Sequence, residues 1–572
     1  MDWKIASQKW LTYENLDPNL KQQLNQMDST ELEEAFHEHI TFGTGGMRGK
    51  LGPGINRMNI YTVRRAAKGL ALHIEQQGTD AKQQGVVVAH DPRHQSSTFA
   101  LEVAKVLGVH GIKTYLFKDI RPTPLLSFAV RYLSTAAGVM ITASHNPPEY
   151  NGFKVYNEEG AQLSLEPSKQ LLEKVNSIEN EFAVDVLEQS DLEQQNLLVW
   201  LEDEVDNAYL NELNKITINK NAMEEDISVV FTPLHGTASQ LVEKGLTQLG
   251  VQHLSFVEEQ RPPDPDFTHV ELPNPEEAQA FEKAIKLGED INADVLMATD
   301  PDADRIGVAA RHNQEQFSIL TGNQLGALIL DYILTHRTIR DVTPVMFKTI
   351  VTSELGADIT KHHGGIAQDV LTGFKFIAEK IKNLEKDSKH QFVFGYEESY
   401  GCLVEDFVRD KDAIQAAIIV AEMVAYYKAK NMTLYDRLEE LYEQYGYYLE
   451  DLHSLKLEGL EGMKQIDDTM TYFRNQNALQ VDGLSLHSIE DYVSRKKHII
   501  QSNDTESIHL PKANVVKFKF TDGSWCCLRP SGTEPKLKFY FGVKGKTAED
   551  SQRKLSILKE SILSQLNKVG AK

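Results

Sequence analysis

Several short segments of this 572-residue chain carry side chains that could do chemistry together. Thr142-Ala143-Ser144-His145-Asn146-Pro147-Pro148 follows Gly138-Val139-Met140-Ile141, an apolar run that reads as a buried strand. The two prolines forbid simple continuation as strand or helix. A hydroxyl is therefore expected to stand exposed on a stiff loop at a strand end, where α/β proteins often place reactive groups. Asn151-Gly152 reads as a turn into a second strand, Phe153 to Tyr156. An isolated serine of this kind is ordinarily a turn residue capping backbone, so its company elsewhere decides the case.

Asp300-Pro301-Asp302-Ala303-Asp304-Arg305 lies between the apolar runs Val295 to Ala298 and Ile306 to Ala310. Three carboxylates at alternate positions raise one another's pKa unless a cation joins them, and a hard divalent ion, best magnesium, suits such oxygen ligands. A helix–loop–helix calcium site is disfavoured, because its sixth position would be Arg305 and its twelfth Arg311. A solvated acidic turn is the plain alternative, weakened by the two flanking strands.

Arg529-Pro530-Ser531-Gly532-Thr533-Glu534-Pro535-Lys536 offers an arginine fork, hydroxyls and a glycine-opened backbone to a phosphate dianion, or else forms an ordinary hairpin. It lacks the Gly-x-x-x-x-Gly-Lys spacing of nucleotide loops. Phe394-Gly395-Tyr396-Glu397-Glu398-Ser399-Tyr400-Gly401 presents groups that bond sugar hydroxyls. The glycine-rich run Phe42 to Gly49 has no dinucleotide spacing and no clear strand before it, though Arg48 could face a phosphate. Lone histidines such as His235 and His253 read as structural or surface residues.

A recurring unit must position these loops. Val86 to Ala89 reads as a strand, then a polar turn at His90-Asp91-Pro92-Arg93, a helix Thr98 to Leu107 and a strand Thr114 to Phe117. Val229 to Phe231, the turn to Gly236, a helix to Leu249 and a strand Ser255 to Val257 repeat the pattern. A weaker copy starts at Val345 and runs to a helix near Ser353. Each copy is followed by a strand ending in one chemical loop, which predicts three similar α/β domains around a central cleft. Strands at Val515 to Phe520, Trp525 to Leu528 and Lys538 to Val543, with a helix from Thr547, predict a smaller C-terminal α+β domain. The expected divisions are 1–205, 206–320, 321–450 and 451–572.

The length suits about four domains. A net charge of −23 argues against nucleic-acid or anionic-membrane binding, so any phosphorylated ligand needs a local concentration of Arg and Lys. Only Cys402, Cys526 and Cys527 occur, without metal spacing, and no signal segment opens the chain, so a cytoplasmic location is expected. Ala413 to Tyr427, interrupted by Gln415 and Glu422, reads as a buried helix rather than a membrane span.

Taken in order, the loops resemble those of the α-D-phosphohexomutase superfamily: a Thr-Ala-Ser-His-Asn-Pro serine loop, an Asp-x-Asp-x-Asp-Arg metal loop, a Gly-Glu-x-Ser sugar loop and an Arg-x-Ser-x-Thr phosphate loop. Gly45-Gly46-Met47-Arg48-Gly49 and His90-Asp91-Pro92-Arg93 are most similar to the phosphoglucomutase/phosphopentomutase branch. The resemblance covers nearly the whole chain. It implies interconversion of glucose 1-phosphate and glucose 6-phosphate through a phosphoserine and glucose 1,6-bisphosphate, with Mg²⁺. Ser144 would carry the phosphoryl group and complete the metal shell of Asp300, Asp302 and Asp304. Thr372, Gly373, Glu397 and Ser399 would orient the sugar. Arg529, Ser531, Gly532 and Thr533 would hold the non-reacting phosphate, and Arg48, His145, Lys154, Arg305 and Lys411 would be catalytic or phosphate-facing. The resemblance fits a monomer or weak homodimer.

Two departures matter. Tyr396 replaces a glycine that commonly precedes the glutamate, which argues against strict glucose selectivity. Tyr400-Gly401 replaces the Gly-His of the phosphomannomutase-like branch, which moves the expected proton transfer to Lys411 and Lys154, as desolvated lysines of lowered pKa. The alternatives are a phosphopentomutase, a sugar-bisphosphate synthase and a non-catalytic sugar-phosphate sensor. A metal-dependent phosphatase is disfavoured, because Asp300 and Asp302 lack the usual following threonine or valine.

Overall fold

Three sheets share one wiring. In a computed structural model, which describes residues 2–566 apart from 41, 44–45, 313–315, 458, 477–478 and 532–535, Val86–His90 is flanked on both sides by parallel strands, Thr114–Phe117 and Ala137–Ile141. Tyr150–Asn157 then runs antiparallel beside Ala137–Ile141. Ser228–Thr232, His253–Phe256, Val295–Thr299 and Ile306–His312 repeat this order in the second sheet. Thr343–Thr349, Ile366–Val370, His390–Tyr396 and Cys402–Leu403 repeat it in the third. The central strands are mostly apolar and buried, as parallel strands covered on both faces must be, with polar residues such as His90, Thr232 and Lys348 toward their carboxyl ends. Because the third strand of each unit turns directly into an antiparallel fourth, its loop hangs at a carboxyl end. Thr142–Glu149, Asp300–Arg305 and Glu397–Gly401 are those three loops.

One expectation changes here. Asn151 and Gly152 lie inside the strand Tyr150–Asn157 rather than in a turn. A Cβ at Gly152 would sit 2.5 Å from the Thr142 carbonyl oxygen and 2.8 Å from that of Met47, so glycine there permits close strand packing. The glycine-rich run is itself a strand over Gly46–Lys50, with Arg48 opposite Gly152.

The C-terminal sheet has seven antiparallel strands, from Tyr447–Lys456 across to Asp504–Ser507. Its first strand opens before residue 451 and pairs along its whole length with Lys536–Gly545. Helix Ala548–Ser564, capped by Thr547, seals Leu555, Leu558 and Ile562 onto Phe518, Phe539 and Phe541.

Helix Ala413–Lys428 is almost wholly buried and packs on helices Ser239–Leu249 and Gly322–His336, joining the second and third units. Its polar residues are used: Glu422 accepts from the Ile218 and Asn219 N–H groups and the Tyr332 hydroxyl. Among the described residues no helix is long and apolar enough to cross a membrane.

Candidate active site

Ser144 adopts φ 52°, a left-handed conformation that a non-glycine residue keeps only under local constraint. The constraint is visible. Its N–H donates to Thr142 Oγ1 at 2.8 Å, and the Arg93 guanidinium gathers the carbonyls of Ser144 at 2.6 Å, Pro147 at 2.7 Å, Tyr150 at 3.1 Å and Asn146. Arg93 is itself paired with Asp91 at 3.2 Å. Contrary to the expected exposure, Ser144 is only 3 % exposed, because the second unit's acidic loop closes over it. Its Oγ donates to Asp300 Oδ2 at 2.6 Å and lies 3.2 Å from His145 Nδ1. Burial, with Arg305 and Arg48 nearby, holds the His145 imidazole well below its usual pKa, so it is neutral. Arg48 reaches the same loop through Asn146 Oδ1 at 2.8 Å.

Asp300, Asp302 and Asp304 are buried and converge so that one oxygen of each lies within 4.8 Å of the others. Asp302 Oδ1 and Asp304 Oδ1 are buried without a hydrogen-bond partner among the described residues. Such orphaned carboxylate oxygens fit a divalent cation, whose charge would offset a desolvation that is otherwise costly. Burial and the other two aspartates push Asp300 well above the carboxylate range. For Asp302, burial acts the same way but is outweighed by Lys154, at 2.7 Å, and by the Thr123 hydroxyl, at 2.8 Å.

Two lysines from different units flank the aspartates. Lys154 Nζ also lies 3.7 Å from Asp304, and Lys411 Nζ lies 2.9 Å from Asp304 and 3.1 Å from Asp410. Burial would depress Lys411, but Asp304, Asp410 and Glu397 outweigh it and raise its pKa. The expected lowering is therefore reversed: in this arrangement Lys411 holds its proton. Lys411 runs across Gly401, where a Cβ would come within 2.1 Å of its Cδ, so no histidine could take that position without displacing it.

Glu397 accepts the Gly373 N–H at 2.9 Å, linking two loops of the third unit. Burial and Glu398 raise its pKa against the pull of Lys411 and Arg305. Thr372 and Ser399 stand in those same loops, both partly buried. Tyr396 does not face the cleft. It is fully buried with its ring against Gly326 and Gly356, so it fills the third unit's interior and cannot set sugar selectivity by contact.

Arg305 pairs with Glu276, and its Nε lies 3.9 Å from Asp304 Oδ1. From the C-terminal sheet, Arg529 lies opposite Lys538 in register, and Ser531 N–H closes the following loop on the Lys536 carbonyl at 2.7 Å. Burial, Arg529 and Arg305 press Lys538 below its usual pKa, against Glu398 and Glu276. Cations from two units thus share one field, as a phosphate dianion requires. Gly532 and Thr533 lie outside the described residues.

The structure therefore brings Ser144, His145, Arg48, Lys154, Lys411 and the three aspartates into one contact network, with Glu397, Gly373 and Arg305 beside it. It adds residues that sequence reasoning missed: Thr123, Arg93, Asp410, Glu276 and Lys538. Arg93 stood in a recognised turn and Asp410 beside a recognised lysine, but nothing in the sequence showed what either touches.

Family models describing the phosphoglucomutase/phosphomannomutase α/β/α domains I, II and III match residues 39–182, 207–313 and 321–445, and the corresponding C-terminal domain matches 487–558. A phosphoglucomutase of Staphylococcus aureus is 38 % identical over 551 residues, covering 96 % of this chain and 97 % of the relative. One from Staphylococcus epidermidis is 41 % identical over 530 residues, covering 92 % and 95 %. Among solved structures, a putative phosphomannomutase from Thermus thermophilus aligns with TM-score 0.67 at 22 % identity, covering 92 % of this chain and 99 % of that one. A Paramecium phosphoglucomutase, parafusin, aligns with TM-score 0.68 at 18 % identity, covering 93 % and 95 %.

Proposed function

The chain belongs to the phosphoglucomutase/phosphomannomutase family, and from that premise we propose that it interconverts glucose 1-phosphate and glucose 6-phosphate, with Ser144 as the phosphoryl carrier. The observation that carries this reading is Ser144, strained and braced, with its Oγ 2.6 Å from Asp300 in a cluster built for a cation. Phosphorylated Ser144 gives its phosphoryl group to one sugar hydroxyl: the serine P–O bond breaks, a sugar P–O bond forms, the hydroxyl proton passes to a base, and the released serine oxygen takes up a proton. The resulting glucose 1,6-bisphosphate turns over and returns its other phosphate to Ser144. Asp300, Asp302, Asp304 and the phosphoserine oxygen would hold magnesium, which would supply charge neutralisation on the transferring group.

The chain's own residues do the rest. Lys154, Lys411 and Arg48 offset phosphoryl charge, and neutral His145 stands at hydrogen-bond range of Oγ. Glu397, Ser399, Thr372 and Gly373 orient the sugar. Arg305 with Arg529, Ser531, Gly532 and Thr533 holds the phosphate that does not react. The three cysteines are free and buried, which suits a reducing cytoplasm. We read the protein as acting as a monomer or weak homodimer without nucleic acid.

The test is Ser144→Ala. Incubation of the wild type with glucose 1,6-bisphosphate should add one phosphoryl mass, and the variant should take up none and lose mutase turnover by at least about a thousandfold. Full turnover in the variant sinks the assignment.

A further inference from the structure

Asp410 is buried at the junction of three units and spends its two oxygens differently. Among the described residues Oδ1 accepts from Lys411 alone, from its backbone N–H at 2.8 Å and its Nζ at 3.1 Å. Oδ2 accepts from the first unit, from Tyr156 OH at 2.9 Å and Gln162 Nε2 at 2.8 Å. Tyr156 is two residues from Lys154 on one strand, so both side chains project from the same face. The result is an alternating line of charge: Asp410, Lys411, Asp304, Lys154, Asp302. Gly401 backs the Lys411 stem from the other side. A four-carbon stem is free to sample many rotamers, and here it is restrained at its base, its middle and its tip.

We propose that Asp410, itself braced by Tyr156 and Gln162, is a positioning residue that aims the Lys411 ammonium at the reacting phosphoryl group. The inference rests on the reading of Lys411 as part of the catalytic group. Asp410 is not one of the three converging aspartates and touches no carboxylate of that cluster. Its influence passes through Lys411.

The experiment measures kcat and KM for glucose 1-phosphate in the wild type, Asp410→Asn, Lys411→Met and the double variant. Single-turnover transfer from radiolabelled phosphoenzyme extends the range to slow variants. Asp410→Asn should lower kcat about 10- to 100-fold, leave KM within about twofold, and add nothing in the Lys411→Met background. The paired change Tyr156→Phe with Gln162→Leu keeps the Asp410 charge. It should give a smaller kcat loss that is also silent in the Lys411→Met background, and it decides the matter if Asp410→Asn does not fold. Equal loss in both backgrounds, or an unchanged kcat, overturns the proposal. Full activity of Lys411→Met alone overturns the reading of Lys411 and this proposal with it, and is seen without any change at Asp410.

Discussion

Thr123 grips Asp302 twice: its hydroxyl donates to Oδ2 at 2.8 Å and its N–H donates to the Asp302 carbonyl at 2.9 Å. The first turn of helix Thr123–Tyr132, in the first unit, thereby sets the orientation of the middle aspartate of the second. The free Oδ1 is left pointing where a cation would be bound. Outer groups of this kind typically carry about 10- to 100-fold of metal affinity. Thr123→Val should therefore raise the Mg²⁺ concentration for half-maximal activity by roughly that factor, with kcat at saturating Mg²⁺ changed far less. Mn²⁺ binding followed by electron paramagnetic resonance should weaken in parallel. An unaltered Mn²⁺ affinity would show that Asp302 is oriented without Thr123.

Arg93 makes a second prediction. One planar guanidinium holds carbonyls of Ser144, Asn146, Pro147 and Tyr150 together, and a lysine ammonium cannot reproduce that fork. Arg93→Lys keeps the charge but releases the loop. A displacement of the nucleophile by about 1 Å costs on the order of a hundredfold in kcat. The measurement is the rate of Ser144 phosphorylation by glucose 1,6-bisphosphate, which should fall by a similar factor while the melting temperature moves only slightly.

Much of this was legible in the sequence, for a physical reason. Parallel central strands are buried on both faces, so 86–89, 295–298 and 345–347 are unbroken apolar runs, and the polar residues and loops at their ends stand out. Contacts between units left no such trace. Thr123 on Asp302, Asp410 on Tyr156 and Arg93 on the serine loop join residues distant in the chain or hidden in ordinary turn composition. The misread glycine shows the same limit: Gly152 suggests a turn, yet it serves a strand whose neighbouring backbones approach too closely for a Cβ. The Lys411 expectation failed because burial was counted without the three carboxylates that surround its ammonium.

Asp412 gives a pH prediction. It caps helix Ala413–Lys428 through the Ile414 and Gln415 N–H groups, and Tyr209 donates to both its oxygens. Burial nevertheless pushes its pKa up from 3.8 to about 6, against those donors. Between these values the unfolded chain releases the proton while the folded chain keeps it, so stability falls as pH rises from 3.8 to about 6 and is level beyond. Asp412→Asn keeps a capping side chain and has no proton to lose. At about 1.4 kcal/mol per pKa unit, the stability of the wild type relative to the variant should fall by about 3 kcal/mol across that window. Urea unfolding at several pH values measures it, and a difference independent of pH would refute the assignment.

Tyr396 supplies the last prediction, and it separates two readings of one residue. By sequence it stands in the sugar loop, where a large ring could reshape the pocket. In the structure its ring is enclosed between Gly326 and Gly356, and its hydroxyl is buried with no hydrogen-bond partner among the described residues. Burial raises its pKa above that of an ordinary tyrosine, so it remains a neutral, unsatisfied donor. Leaving such a group unpaired costs about 1–3 kcal/mol, and removing it recovers part of that. Tyr396→Phe should thus be as stable as the wild type or more so. The ratio of kcat/KM for glucose 1-phosphate over mannose 1-phosphate should stay within about twofold, since neither pocket shape nor charge changes. A shift of that ratio by more than about tenfold would return Tyr396 to the sugar site, because a hydrophobic core contact has no means of telling two epimers apart.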